Sequence, residues 1–140
     1  MTEQVHVWRK EPAPASDRIY DPSDSRWAYI QPDGTPDSAM LDRVVRSIVE
    51  QIDPLRIILF GSAARGEMHA HSDLDLLVIK ERLGPRRGAT VGRLRGRLPV
   101  QRRGVDLVLI SLAEVALNRD EIYQPVGQAL AHGRVIYERD

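Results

Sequence analysis

Apolar positions Leu41, Val44, Val45, Ile48, Val49 and Ile52 recur at helical spacing from Asp37 onward. They predict an amphipathic helix with Asp37 or Ser38 as N-cap and Pro54 just past its end. Three short apolar runs follow: "RIILF" (56–60), "DLDLLVIK" (73–80) and "VDLVLI" (105–110). Each has the length and β-branched content of a buried strand. Between them, "ARGEM" reads as the first turn of a helix, and Val91, Leu94 and Leu98 mark one face of a short, glycine-interrupted helix. Ser111 and Glu114 form a capping box for a helix near 112–118. "YQPVGQALAHG" reads as a last helix stopped by Gly133, and "RVIYE" as a final strand. The order helix, strand, helix turn, strand, helix, strand is that of an α/β domain (α+β, mixed sheet) with about four strands flanked by helices.

The first 36 residues break this pattern. They hold five of the nine prolines, both tryptophans (Trp8 and Trp27), and Tyr20 and Tyr29, with no helical period. A disordered tail usually lacks aromatics. The segment is therefore expected to be an arm that packs on its own domain, a twin subunit or a partner. The division is an arm at 1–36 and one domain at 37–140.

Composition narrows the function classes. With no cysteine in 140 residues, disulfides, thiolate zinc sites and a thiol nucleophile are excluded, and a reducing compartment is the natural setting. No apolar run approaches the ~20 residues of a membrane span, and the N-terminus has no signal-peptide core, so the expected location is cytoplasmic with no membrane partner. Net charge is zero, so no global field draws nucleic acid. Basic residues are nevertheless concentrated at Lys80, Arg82, Arg86, Arg87, Arg93, Arg95, Arg97, Arg102 and Arg103, opposed only by Glu81. That run is read as a solvated surface first, then as a contact for an acidic partner protein, then for RNA. It contains no aromatics to stack bases.

The chemistry concentrates in "FGSAARGEMHAHSDLDLLVIK" (60–80). Side chains at i and i+2 of a strand share a face, so Asp73 and Asp75 point together, away from Leu74, Leu76 and Val78. Two ionised carboxylates at ~4 Å repel by ~4 kcal/mol at an effective dielectric of 20. A cation, a shared proton or an arginine has to offset this. An oxygen-only pair suits a hard cation such as Mg²⁺ or Mn²⁺. Asp106 holds the equivalent place in "VDLVLI", and three acids converge if the two strands are neighbours. The alternative is an ordinary solvated sheet face. Gly61-Ser62 at a strand end lets backbone amides approach a ligand, and a helix N-terminus there favours phosphate.

Gly61-Ser62, ten intervening residues, Asp73-Leu74-Asp75 and a later strand acid resemble the signature of the DNA polymerase β-like nucleotidyltransferases. The likeness is to their minimal nucleotidyltransferase (MNT) members, runs from about Arg43 to the C-terminus, and includes the ending "GQALAHGRVIYE". The resemblance implies the polymerase β-like fold and a Mg²⁺-dependent transfer of AMP from ATP. Asp73, Asp75 and Asp106 would be the catalytic and metal-binding acids. Gly61 and Ser62 would grip the β/γ-phosphates, with Arg65 reaching the triphosphate or instead bonding an aspartate or a backbone carbonyl. Ser72 would support an aspartate or merely cap the start of its strand. His69 and His71 are read as solvated, with His71 a lesser candidate for base or ribose contact.

The same resemblance implies a protein partner. Minimal nucleotidyltransferases are often paired with HEPN-family RNase toxins, whose tyrosine they modify as antitoxins, and a hetero-oligomer follows from that pairing. Two rival readings remain: a non-catalytic antitoxin that acts by contact, and a nucleotidyltransferase acting on RNA.

Overall fold

The computed structural model of the chain describes residues 19–100, 103–118 and 125–140. His6, Trp8, Arg102 and the first residues of the expected last helix, Tyr123 and Gln124, lie outside them. Helix α1 spans Ser38–Ile52, and the Asp37 carboxylate accepts the Met40 N–H to cap it. Asp53 closes the helix in the left-handed conformation.

Strand β1 (Arg56–Phe60) leads into a single helical turn, α2 (Gly61–Arg65). That turn begins three residues earlier than "ARGEM" indicates, because Gly61 already takes the bend at the strand end. Strand β2 is Leu74–Lys80, so Asp73 stands just ahead of it rather than within it. Helix α3 (Arg87–Gly96), β3 (Val105–Ser111), α4 (Leu112–Asn118), α5 (Pro125–His132) and β4 (Arg134–Glu138) follow. The capping box of α4 forms as expected: the Glu114 carboxylate accepts from Ser111 N–H, and Ser111 Oγ accepts from Glu114 N–H.

The four strands lie in the order β3-β2-β1-β4. The β1–β2 and β1–β4 pairs are antiparallel and β2–β3 is parallel, which makes the sheet mixed. α3 supplies the crossover that a parallel pair requires. The period of two along the strands divides the core. Ile57, Leu59, Leu74, Leu76, Val78, Leu107 and Leu109 face α1 and α3, meeting Met40, Val44, Ile48 and Leu94. Ile58, Phe60, Leu77, Ile79 and Ile110 face Val126 and Ala129 of α5, with Val115 of α4 alongside. Each fully buried aliphatic side chain contributes ~1.5–3 kcal/mol of transfer free energy. Both faces are therefore covered, as near-continuous apolar strands demand.

Part of the arm joins this core. Trp27 and Ile30 are buried with the α1-side cluster, and Tyr20 meets Trp27 edge-to-face at 5.4 Å between ring centroids. For these residues the packing surface is the chain's own domain.

Candidate functional site

The acids gather at the end of the sheet where β2 and β3 begin. In the parallel register Asp75 lies beside Asp106, and in the antiparallel register Phe60 lies beside Asp75. Asp75 shares its face with Leu77 and Ile79, the face covered further along by α5. Asp73 and Asp75 are half-buried and Asp106 is exposed. The parallel register therefore sets Asp106 beside Asp75, and not beside Asp73, whose place in its own strand it was expected to parallel.

Two glycines set how closely these acids are held. Gly61 has φ +71°, a left-handed backbone that side chains disfavour, and a β-carbon there would fall 2.1 Å from Asp75 Oδ2. Gly104, directly before β3, leaves space that Asp73 fills: a β-carbon would fall 2.3 Å from Asp73 Oδ1. The Gly104 carbonyl also accepts the Leu74 N–H at 2.8 Å, fixing the start of β2 against β3. Each carboxylate thus rests on the backbone of a neighbouring turn, one on the Gly61 bend and one on the approach to β3. No side chain caps α2, since Phe60 occupies the N-cap position without a side-chain hydrogen bond. Its first amides start at the Gly61 bend that holds Asp75.

The donor set is oxygen-only, which fits a hard divalent cation better than a soft one. The two glycine cradles hold the Asp73 and Asp75 carboxylates at the same sheet end, which favours such an ion further. Among the described residues, no three histidine, aspartate or glutamate side chains are drawn together into a ready cage. The strand register places the carboxylates as neighbours without closing them around a point.

Other residues singled out in the sequence take different places. Arg65 pairs with Glu67, Nε to Oε1 at 2.7 Å, and is largely exposed; this pair stands in place of the expected bond to an aspartate or a backbone carbonyl. The reason is local, because α2 ends at Arg65 and the left-handed Gly66 turns Glu67 back toward it. Ser72 is buried and its Oγ accepts the His69 N–H at 2.8 Å, so it closes the turn before Asp73. His69 Nδ1 accepts the His71 N–H at 3.1 Å, which makes "HAH" part of the same turn.

The basic run does not act as one surface. Arg87 pairs with Glu114, and Lys80 Nζ donates to the Ile52 carbonyl at 2.7 Å. Arg82, Arg86, Arg93, Arg95 and Arg97 remain exposed around α3. Arg103 is buried, 7% exposed, among backbone carbonyls. Composition counted it as surface charge, because nothing in a count distinguishes an arginine that faces inward. Gly104 was missed as well. Its signal was available: a lone glycine immediately before a strand whose second residue is an acid.

Comparison with known proteins places these observations in a family. The nucleotidyltransferase domain family matches residues 41–125. A protein of Methanocaldococcus jannaschii named "putative protein adenylyltransferase" is 31% identical over 112 residues, covering 74% of this chain and 76% of its own. A crystal structure titled as a "putative nucleotidyltransferase" from Sulfolobus solfataricus superposes with a TM-score of 0.50 at 17% identity. It covers 72% of this chain and 79% of that one, and it supports the fold alone.

Proposed function

This chain belongs to the nucleotidyltransferase domain family, and on that premise we propose that it transfers AMP from ATP to a protein hydroxyl. The proposed acceptor is a tyrosine of a HEPN-family RNase partner, and the modification silences that toxin. The observation that supports this reading most is the register that sets Asp75 beside Asp106, with Asp75 seated on the Gly61 bend. The name of the archaeal relative supports a protein as acceptor.

Asp73, Asp75 and Asp106 would hold Mg²⁺. A divalent cation bound there neutralises charge on the triphosphate and on the departing pyrophosphate. The backbone amides that open α2, with the Ser62 hydroxyl, hold the β/γ-phosphates. Asp106, the most exposed of the three acids, takes the proton from the acceptor hydroxyl. The hydroxyl oxygen then bonds to the α-phosphorus, the bond from that phosphorus to the bridging oxygen breaks, and pyrophosphate leaves. Pinning both carboxylates on backbone lowers the ordering cost of this arrangement before the nucleotide arrives.

Mass spectrometry of a candidate HEPN partner incubated with this protein, ATP and Mg²⁺ tests the proposal. Mass gains in AMP steps on a tyrosine peptide, absent with Asp73→Asn/Asp75→Asn, are expected. A stable complex with the RNase inhibited and no mass gain would replace the transferase with a binding antitoxin.

A further inference from the structure

Arg103 lies at the junction of two segments far apart in sequence. Its Nη1 donates to the Ser72 carbonyl at 2.7 Å and to the Ala70 carbonyl at 3.2 Å. Its Nη2 donates to the Ala28 carbonyl at 3.1 Å and to the Arg26 carbonyl, and Nε donates to Ala28 at 3.3 Å. One guanidinium therefore bonds two carbonyls of the arm and two of the turn that delivers Asp73. The fixed fork of an arginine suits this, since its five donors are spread in one plane. Burial lowers the Arg103 pKa from its ordinary value, and the negative charge of Asp73 partly opposes that shift.

The neighbours of Arg103 tighten the connection. Gly104 is the residue against which Asp73 packs, and its carbonyl starts the β2–β3 pairing at Leu74. On the other side, Trp27 sits between the bonded Arg26 and Ala28 and is buried in the core. Arm, acid-bearing turn and the start of β3 are thereby tied at one side chain. The arm segment lies outside residues 41–125, the part matched by the family.

We propose that Arg103 is a positioning residue for Asp73, and that through it residues 26–28 of the arm brace the nucleotide site. This rests on the transferase reading for what the site binds, but the tie itself is a property of the apo protein. Loss of the guanidinium frees four carbonyls at once, two of them buried and two part-buried, and the turn and the arm should loosen together. Coupling of this kind is reciprocal: whatever orders Asp73 should also order residues 26–28.

The test uses the full chain and the variants Arg103→Met and Arg103→Lys. Hydrogen exchange is followed on peptides covering 24–30 and 68–75, and Mg·ATP affinity is measured by calorimetry. Arg103→Met is expected to speed exchange in both peptides and to weaken Mg·ATP by about tenfold, toward the lower end of the usual coupling range. Arg103→Lys should recover neither, because one ammonium cannot span carbonyls on two segments. If Arg103→Met fails to fold, the wild type still decides the matter: Mg·ATP should slow exchange at 24–30 as well as at 68–75. Full rescue by lysine would reduce the role to charge and overturn the brace. Faster exchange with unchanged affinity would make Arg103 purely structural, and loosening of one peptide without the other would also refute the proposal. A wild type that binds no Mg·ATP would refute the transferase reading instead, and joint loosening in Arg103→Met would still establish the tie.

Discussion

The Asp75 carboxylate lies against the Cα of Gly61, so close that a β-carbon at Gly61 would come within 2.1 Å of Oδ2. The bend that ends β1 and the acid near the start of β2 are thus one fitted contact. Gly61→Ala tests it. The substitution meets both the positive φ, a strain of about 1–2 kcal/mol, and the Asp75 side chain. Expected are a lower thermal midpoint and a loss of Mg·ATP affinity of at least about tenfold in calorimetry, since about 1.4 kcal/mol of lost contact already gives that factor. Unchanged affinity would separate Gly61 from the nucleotide site.

Asp75→Asn removes one member of a carboxylate group assembled at a strand end. In the absence of divalent cation the neutral amide relieves like-charge repulsion with Asp106 and Asp73. The thermal midpoint without Mg²⁺ should be equal to that of the wild type or higher, while AMP transfer is abolished. Stabilisation of the wild type by added Mg²⁺ should disappear in the variant. A strongly destabilised Asp75→Asn would mean that the acid serves the fold.

Trp27→Ala probes how far the arm belongs to the domain. Trp27 is 5% exposed and packs with Ile30, Met68 and Tyr20. Truncation of a buried aromatic typically costs about 3–5 kcal/mol, a large share of a small domain's stability. Denaturant unfolding should show that loss in a single transition. A loss below about 1 kcal/mol would make the arm peripheral.

Glu114 gives a pH dependence of known sign. The Ser111 backbone N–H, and then Arg87, hold its carboxyl below its ordinary pKa. A group lowered in the folded state contributes stability above its unfolded pKa and loses it as pH falls through the folded value. Stability attributable to Glu114 is therefore intact near neutrality and declines only in the acid range below the usual glutamate pKa. Glu114→Gln should flatten that acid limb and leave the neutral plateau slightly lower. The contribution is small because the pair is solvent-screened.

The sequence carried the architecture well where periodicity and caps agreed. The α1 stripe from Leu41 to Ile52 and the Ser111–Glu114 box each became the element they indicate. The strands were legible because both sheet faces are buried, leaving unbroken apolar runs. Asp73 and Asp75 stood out for the same reason: acids are conspicuous beside such a run. What escaped was set by tertiary contact. Arg103 faces inward among carbonyls from positions 26 to 72. Such a contact has no local period or spacing that a linear reading can detect.

Isotope position distinguishes nucleotidyl transfer from phosphoryl transfer. Purified protein, Mg²⁺ and the proteins co-expressed with it are incubated with ATP labelled at either the α- or the γ-phosphate. Label on a protein band from α-labelled but not γ-labelled ATP, absent with Asp73→Asn/Asp75→Asn, is the predicted result. Transfer of the γ-label, or α-label transfer that survives the loss of both aspartates, would contradict it.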